Sequence, residues 1–253
     1  MLASSSSGNS TFIRTERTRL LVDVGLSRRD ILARLSAIDE QPESLDAILI
    51  THEHSDHVSG LVALARLLDV PIFITRLTAP AIPWDEFSPK LDCFQAGATF
   101  SVGDIDIDSF TVPHDAIDPV GFCFRAKGIK IGVVTDLGYV PGSVKFHLRG
   151  ADLLVLESNH DTEMLKVGPY PWSVKQRVMG RKGHLSNDVV SDFIRDDLDS
   201  SISTLVLGHL SEHNNHPEIV RHTAGRALDG AGRALFTRLV VAEPKQQTEV
   251  FAY

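Results

Sequence analysis

The chain has 253 residues, 43% of them hydrophobic and 23% charged, and a formal net charge of −8 at pH 7. This is a globular balance with length for a substantial core, and two cysteines, Cys93 and Cys123, exclude a disulfide framework and read as small core residues. No apolar run is long enough to cross a membrane and the start lacks the blocks of a signal peptide, so a soluble, cytoplasmic protein is expected; the acidic balance counts against a nucleic-acid partner unless bound cations change the local sign.

In chain order, "SSSSGNS" reads as a loop leading into two neighbouring strands, "TFIRT" and "RLLVDVG". Met1 lies only a few residues ahead of this loop, so the first strand is expected to be short. "RRDILARLSAI" has helical spacing, "LDAILIT" is a buried strand, and "VSGLVALARLLD" is the next helix. The runs "PIFIT", "TFSVGDIDIDSFTV", "VGFCFRA", "KIGVVTD" and "DLLVLES" follow as strands separated by turns. "SNDVVSDFIRDDL" reads as a helix, "STLVLGHL" as a strand and "HPEIVRHTAGRALDGAG" as the last helix. Strands in two batches, each interleaved with helices, predict an α/β (α+β) chain of packed sheets covered outside by helices, with residues 1–253 in one domain.

The stretch "THEHSDHVSG" places His52, His54, Asp56 and His57 directly after an apolar strand. So many imidazoles and a carboxylate would repel one another or go unsatisfied in a core unless a cation held them. Imidazole and carboxylate suit zinc, and also iron or manganese. One ion could hardly take all four donors and distant ligands as well, so two divalent metal ions are expected.

"HEHSDH" resembles the H-x-H-x-D-H signature of the metallo-β-lactamase fold, which implies a four-layer αββα sandwich and a dinuclear site. The resemblance implies three further ligands at strand ends, supplied here by His114 in "FTVPHDA", Asp136 in "IGVVTDLG" and His209 in "TLVLGHL". It assigns His52, His54 and His114 to one metal, Asp56, His57 and His209 to the second, and Asp136 to a bridge. Asp23 in "LLVDVG" matches an early Asp that supports the ligand loop from behind. "SSGNS", "HDAIDPVGF", "TDLGYV", "LVLESNHD" and "HLSEHNN" look like the YycJ/WalJ branch, bacterial members linked to nuclease activity.

Fold alone does not choose the substrate. Asp136 stands where many β-lactamases of this fold carry Cys, and an oxygen-reducing diiron member would usually carry Glu in place of His54. A thioester or lactone hydrolase of the glyoxalase II type shares the first motif but leaves the repeat of "GHLS", at residues 183–186 and 208–211, unexplained. His184 in the first copy opens a helix-like run after Lys175, Arg177, Arg181 and Lys182. This resembles the tRNA 3′-processing endoribonucleases (RNase Z), in which such a His, paired with a strand-end Glu, serves the scissile phosphate. Glu157 at the end of "DLLVLES" is the matching partner.

The expectation is therefore a metal-dependent hydrolase of phosphodiesters in nucleic acid, DNA favoured over RNA, with a 5′→3′ exonuclease as the form the resemblance implies. Zinc is the first choice of metal, with manganese or iron as alternatives. Its site combines the seven ligands with His184, Glu157 and Asp56 as catalytic residues, and the four basic residues with His184 as a backbone-binding strip. Tyr170 and Trp172 either stack on bases or pack their loop down, with packing preferred. A small-molecule hydrolase and a non-catalytic regulatory module are the alternatives.

Overall fold

In the computed structural model, which describes residues 1–244 and 246–253, the short apolar runs pair into two sheets. The first contains β1 (Thr11–Arg14), β2 (Arg19–Val22), β3 (Ala47–Leu49), β4 (Ile72–Thr75) and β5 (Leu91–Phe94), side by side in that order. β1 and β2 are antiparallel; β2 to β5 run parallel.

The second sheet contains β6 (Thr99–Val102), β7 (Ile105–Thr111), β8 (Val120–Ala126), β9 (Ile129–Val134), β10 (Leu153–Glu157), β11 (Thr204–Gly208) and β12 (Arg238–Val241). β6 to β9 form an antiparallel meander, and β9 to β12 are parallel.

Helices cover both outer faces. α1 (Arg28–Ser36), α2 (Ser55–Val58) and α3 (Leu61–Leu68) follow the first sheet's strands. α4 (Gly142–Leu148), α5 (Thr162–Val167), α6 (Trp172–Val178), α7 (Asn187–Asp196) and α8 (Pro217–Gly230) belong to the second half. Ile31, Leu35, Leu61 and Leu64 pack on Ile48, Ile50 and Ile72. Val144, Val190, Phe193, Ile194 and Val220 pack on Leu154, Leu156, Leu205 and Leu207. Between the sheets, Leu20, Val22 and Leu49 meet Phe122, Phe124, Val133 and Val155. These three apolar interfaces make the expected αββα layering.

β10 and β11 are buried along their whole length, as parallel strands covered on both faces must be, which explains their unbroken "LLVL" and "TLVL" runs. Glu157 pairs with Gly208 in their register, so both strands end level. Side chains just beyond such ends converge in the crevice where open α/β sheets place their ligands.

Three expectations change. The helix read at "VSGLVALARLLD" is broken into α2 and α3, because the backbone of Gly60 donates to Val24 O at 2.9 Å and Ser59 Oγ to Gly25 O at 2.8 Å; this fixes α2, and with it Asp56 and His57, against the β2–α1 loop. "SSSSGNS" is more than a connecting loop: Ser4, Ser5, Asn9 and Ser10 are buried, with Ser10 bridging to Ala3 and Ser5 to Leu210. Of the cysteines only Cys123 is a core residue, whereas Cys93 is exposed on the edge strand β5.

Candidate metal centre

The polar side chains singled out in the sequence meet where strands of both sheets end. Asp23 follows β2, the "THEHSDH" loop follows β3, His114 follows β7, Asp136 follows β9 and His209 follows β11. Asp23, Asp136 and His209 adopt left-handed backbone conformations, with φ of 61°, 60° and 56°. Each costs a non-glycine residue about 1–3 kcal/mol, strain that collects at functional sites.

Three groups of donors form, two of them from the expected ligands and a third from Asp136, Glu157, His184 and His209. Donor atoms of His52, His54 and His114 lie within 4.8 Å of one another, as do those of Asp56, His57, Asp136 and His209. In the first, His54 Nδ1 and His114 Nε2 face each other at 3.2 Å, and His52 Nε2 is buried without a hydrogen-bond partner. In the second, His57 Nε2 is 3.2 Å from Asp136 Oδ2 and 3.5 Å from Asp56 Oδ2. His209 Nε2 stands 3.3 Å from Asp56 Oδ2 and 3.4 Å from Asp136 Oδ1. Asp136 Oδ2 is likewise buried without a hydrogen bond. Two orphaned buried donor atoms and two imidazole nitrogens turned on each other are what divalent cations would satisfy, so this set fits the implied metals.

The opposite ring nitrogens of His52, His57, His114 and His209 are engaged. His57 Nδ1 lies 2.8 Å from Asp23 Oδ2, and Asp23 also accepts from Thr51 N and Thr51 Oγ1, at 2.9 and 2.8 Å. Thr51 Oγ1 touches His52 Nδ1 at 3.0 Å. His114 Nδ1 is 3.2 Å from Gly183 O, and His209 Nδ1 is 3.0 Å from Glu157 Oε2. Such contacts fix the ring orientation and leave the other nitrogen for a metal.

Electrostatics follow the same division. His57 is fully buried, which alone would lower its pKa, but the carboxylates of Asp136, Asp23 and Asp56 outweigh this and raise it well above 6.5. For His209, burial is again opposed, by Asp136, Asp56 and Glu157, and the pKa rises to about 10. Asp136 stays far below the usual carboxylate range against the effect of burial, through His209, His57 and His52. His52 is pushed well down by burial and the neighbouring His57. The second group is thus a carboxylate–imidazolium cluster, whereas in the first burial pushes His52 and His114 down toward the neutral form.

Glu157 is completely buried and uses both oxygens. Oε2 accepts from Asp136 N at 3.1 Å and lies 3.0 Å from His184 Nδ1; Oε1 accepts from Leu185 N at 2.6 Å. Burial would raise its pKa, but His184 and His209 hold it at about 2. His184 keeps 18% of its side chain exposed. Burial there is outweighed by Glu157, and its pKa is raised.

Both "GHLS" glycines are set by close approach. A Cβ on Gly183 would lie 2.1 Å from Val178 O, and one on Gly208 2.4 Å from Ser4 Oγ. The following Leu side chains are buried, and Ser186 Oγ and Ser211 Oγ accept from Val189 N and Asn214 N.

The expected basic strip does not hold together. Lys175 is only 8% exposed and its Nζ donates to Lys166 O at 2.7 Å, because α6 turns it inward. Arg177 is paired with Asp115, and Arg181 lies over the Tyr139 ring at 4.5 Å. Lys182 is exposed. Trp172 is 63% exposed, which overturns the packing reading for it, whereas Tyr170 is half-buried against His213.

Residues that the motifs did not single out complete the site. Asn9 Nδ2 lies 3.1 Å from His57 Nε2 and 3.3 Å from Asp56 Oδ2, Ser4 Oγ accepts from His209 N at 2.7 Å, and Asn159 Nδ2 donates to His209 O at 3.0 Å. For Ser4 and Asn9 the signal was the polar run "SSSSGNS" ending at a strand, and for Asn159 its place just after the buried strand β10.

Residues 18–209 match the sequence profile of the beta-lactamase superfamily domain. The exodeoxyribonuclease WalJ of Streptococcus pneumoniae is 40% identical over 228 residues, 88% of this chain and 85% of that protein. The chain belongs to the metallo-β-lactamase superfamily, on its WalJ/YycJ branch. A second member of that branch, the exodeoxyribonuclease YycJ of Bacillus anthracis, is 36% identical over 259 residues, 99% of this chain and 97% of the relative. The superfamily fold is seen in YhfI of Bacillus subtilis, described as a metallo-beta-lactamase fold protein, with a TM-score of 0.72 at 15% identity, covering 96% of this chain and 94% of that one.

Proposed function

We propose that the protein is a dinuclear metal-dependent phosphodiesterase acting on DNA, an exonuclease like the WalJ and YycJ proteins it resembles along nearly its whole length. The observation that carries the reading is the Glu157–His184 pair beside two complete donor groups. His52, His54 and His114 would hold one ion, Asp56, His57 and His209 the second, and Asp136 would serve both. Zinc is the first choice for these N and O donors, with manganese or iron as alternatives. When bound, such ions supply Lewis acidity toward a phosphoryl oxygen and lower the pKa of water.

The chain's own residues supply the rest. Glu157 accepts at His184 Nδ1, so His184 is held in its charged form with Nε2 free for substrate. His184 donates its Nε2 proton to the leaving oxygen of the cleaved ester, as a general acid, while Nδ1 stays bonded to Glu157. The N-terminus of α7, which begins three residues on, favours the negative charge developing nearby. Asp23, Thr51, Asn9 and Asn159 keep the donor rings in place.

The 5′→3′ direction comes from the branch resemblance alone. The test is hydrolysis by metal-loaded protein of single-stranded DNA, RNA of the same sequence and a glutathione thioester. DNA is expected to be cleaved fastest; preference for the thioester would replace this reading with the glyoxalase II type.

A further inference from the structure

Asp115 and Arg177 meet at the mouth of the metal centre. Arg177 Nε donates to Asp115 Oδ2 and Nη2 to Oδ1, the latter at 3.1 Å, in a two-pronged contact. The same Oδ1 lies 3.5 Å from His114 Nε2, a nitrogen of the first donor group. Asp115 is 28% and Arg177 59% exposed. An anion entering from solvent can reach this fork.

Both partners stand on fixed supports. The Asp115 loop is tied by Gly138 N to Pro113 O at 3.0 Å and by Ile117 N to Glu53 Oε1 at 2.9 Å. The segment after α6 is seated by Arg181 on Tyr139 and by His184 N donating to Val178 O at 2.9 Å. Arg177 is therefore carried by the strap that ends in His184. The guanidinium is charged in any case; the bond to Asp115 raises its pKa further, with Asp56 of the second donor group close enough to add to the effect.

A carboxylate in a bidentate contact with Arg has the shape and charge of a phosphate edge. An exposed ion pair contributes little stability, so an incoming phosphodiester can take its place. In a chain of net charge −8, Asp115 also weakens attraction for a polyanion wherever it stays bound. We propose that Arg177 binds a backbone phosphate of the DNA strand next to the cut, and that Asp115 occupies its guanidinium until that phosphate replaces it. This rests on the phosphodiesterase reading. Asp115 is a positioning residue that competes with substrate, and Arg177 discriminates strands that extend beyond the scissile bond from single phosphate esters.

The test measures kcat and KM on a labelled single-stranded oligodeoxynucleotide with metal content checked for each variant. Arg177→Ala is expected to raise KM about tenfold or more with a smaller change in kcat, and Arg177→Lys to recover part of it, as loss of a charge-assisted fork predicts. Asp115→Asn is expected to lower KM, and to do so no longer when Arg177 is already Ala. A KM unchanged by Arg177→Ala, or an Asp115→Asn variant whose KM rises like that of Arg177→Ala, would overturn the proposal while leaving the nuclease reading intact. Absence of DNA cleavage by the metal-loaded wild type would overturn both.

Discussion

His184 and His209 turn their Nδ1 atoms to one oxygen, Oε2 of Glu157, each at 3.0 Å, with ring centroids 5.3 Å apart. The two "GHLS" copies thus bring their histidines to a single buried carboxylate. One ring closes the metal centre and the other stays open to substrate.

The shared carboxylate makes Glu157→Gln a double lesion. The amide keeps the shape but removes the charge that holds both rings, so metal affinity and turnover should fall together. Loss of the buried charge-assisted bonds should cost about 1.5–3 kcal/mol of stability, read as a lower Tm in the chelated protein. A variant with full metal affinity and a slow rate would confine Glu157 to His184.

Single substitutions should separate the histidines. His184→Ala is expected to retain metal while slowing DNA cleavage about 10²- to 10⁴-fold, the range for loss of a general acid. His209→Ala is expected to lose metal, measured by elemental analysis of the purified variants. Equal metal loss in both would refute the division of roles.

Metal uptake should release protons. In the ion-free cluster His57 is raised well above 6.5 and His209 to about 10, so at neutral pH each carries a proton that a metal must displace. Affinity should therefore rise with pH, and titration calorimetry in buffers of different ionisation enthalpy should register protons released. The sign for ion-free stability is set by the same groups. Raised histidines stabilise fully below 6.5 and lose the effect as pH rises through about 10 for His209. The depressed Asp56 and Asp136 stabilise above 3.8 and lose it in acid. The depressed His52 works the other way, destabilising as pH falls below 6.5, so melts of chelated protein should drop both in acid and as pH rises through about 10.

Asn9 and Asp23 act behind the donors. Asp23→Ala removes the acceptor for both Thr51 and His57, and should lower metal affinity about 10- to 100-fold, as loss of such supports does. Asn9→Ala should have a smaller effect in the same competition assay with a chelating dye.

Most of the centre was legible because its donors lie in short motifs at the ends of apolar runs. His52 to His57 announce a cation by density, and Asp136 and His209 follow unbroken buried strands. What escaped the reading depends on side-chain direction or on contacts between distant segments. Lys175 belongs to a run of charges by composition, yet the short helix α6 turns it onto Lys166 O. β5 has three exposed residues, and β12 lies at the sheet edge, so neither shows a buried run. Asn9 touches His57 from 48 positions away, and Asp115 meets Arg177 across 62; neither spacing carries a pattern.

The most direct test of the central claim follows DNA labelled at one end through digestion by metal-loaded protein, with the chelated protein and His184→Ala in parallel. Label at the 5′ end is predicted to appear at once in mononucleotide-sized product, while 3′ label remains in progressively shorter strands; both are expected to disappear on chelation and to slow in the variant. Unchanged DNA in the presence of metal, or cleavage that survives chelation and the loss of His184, would contradict the account.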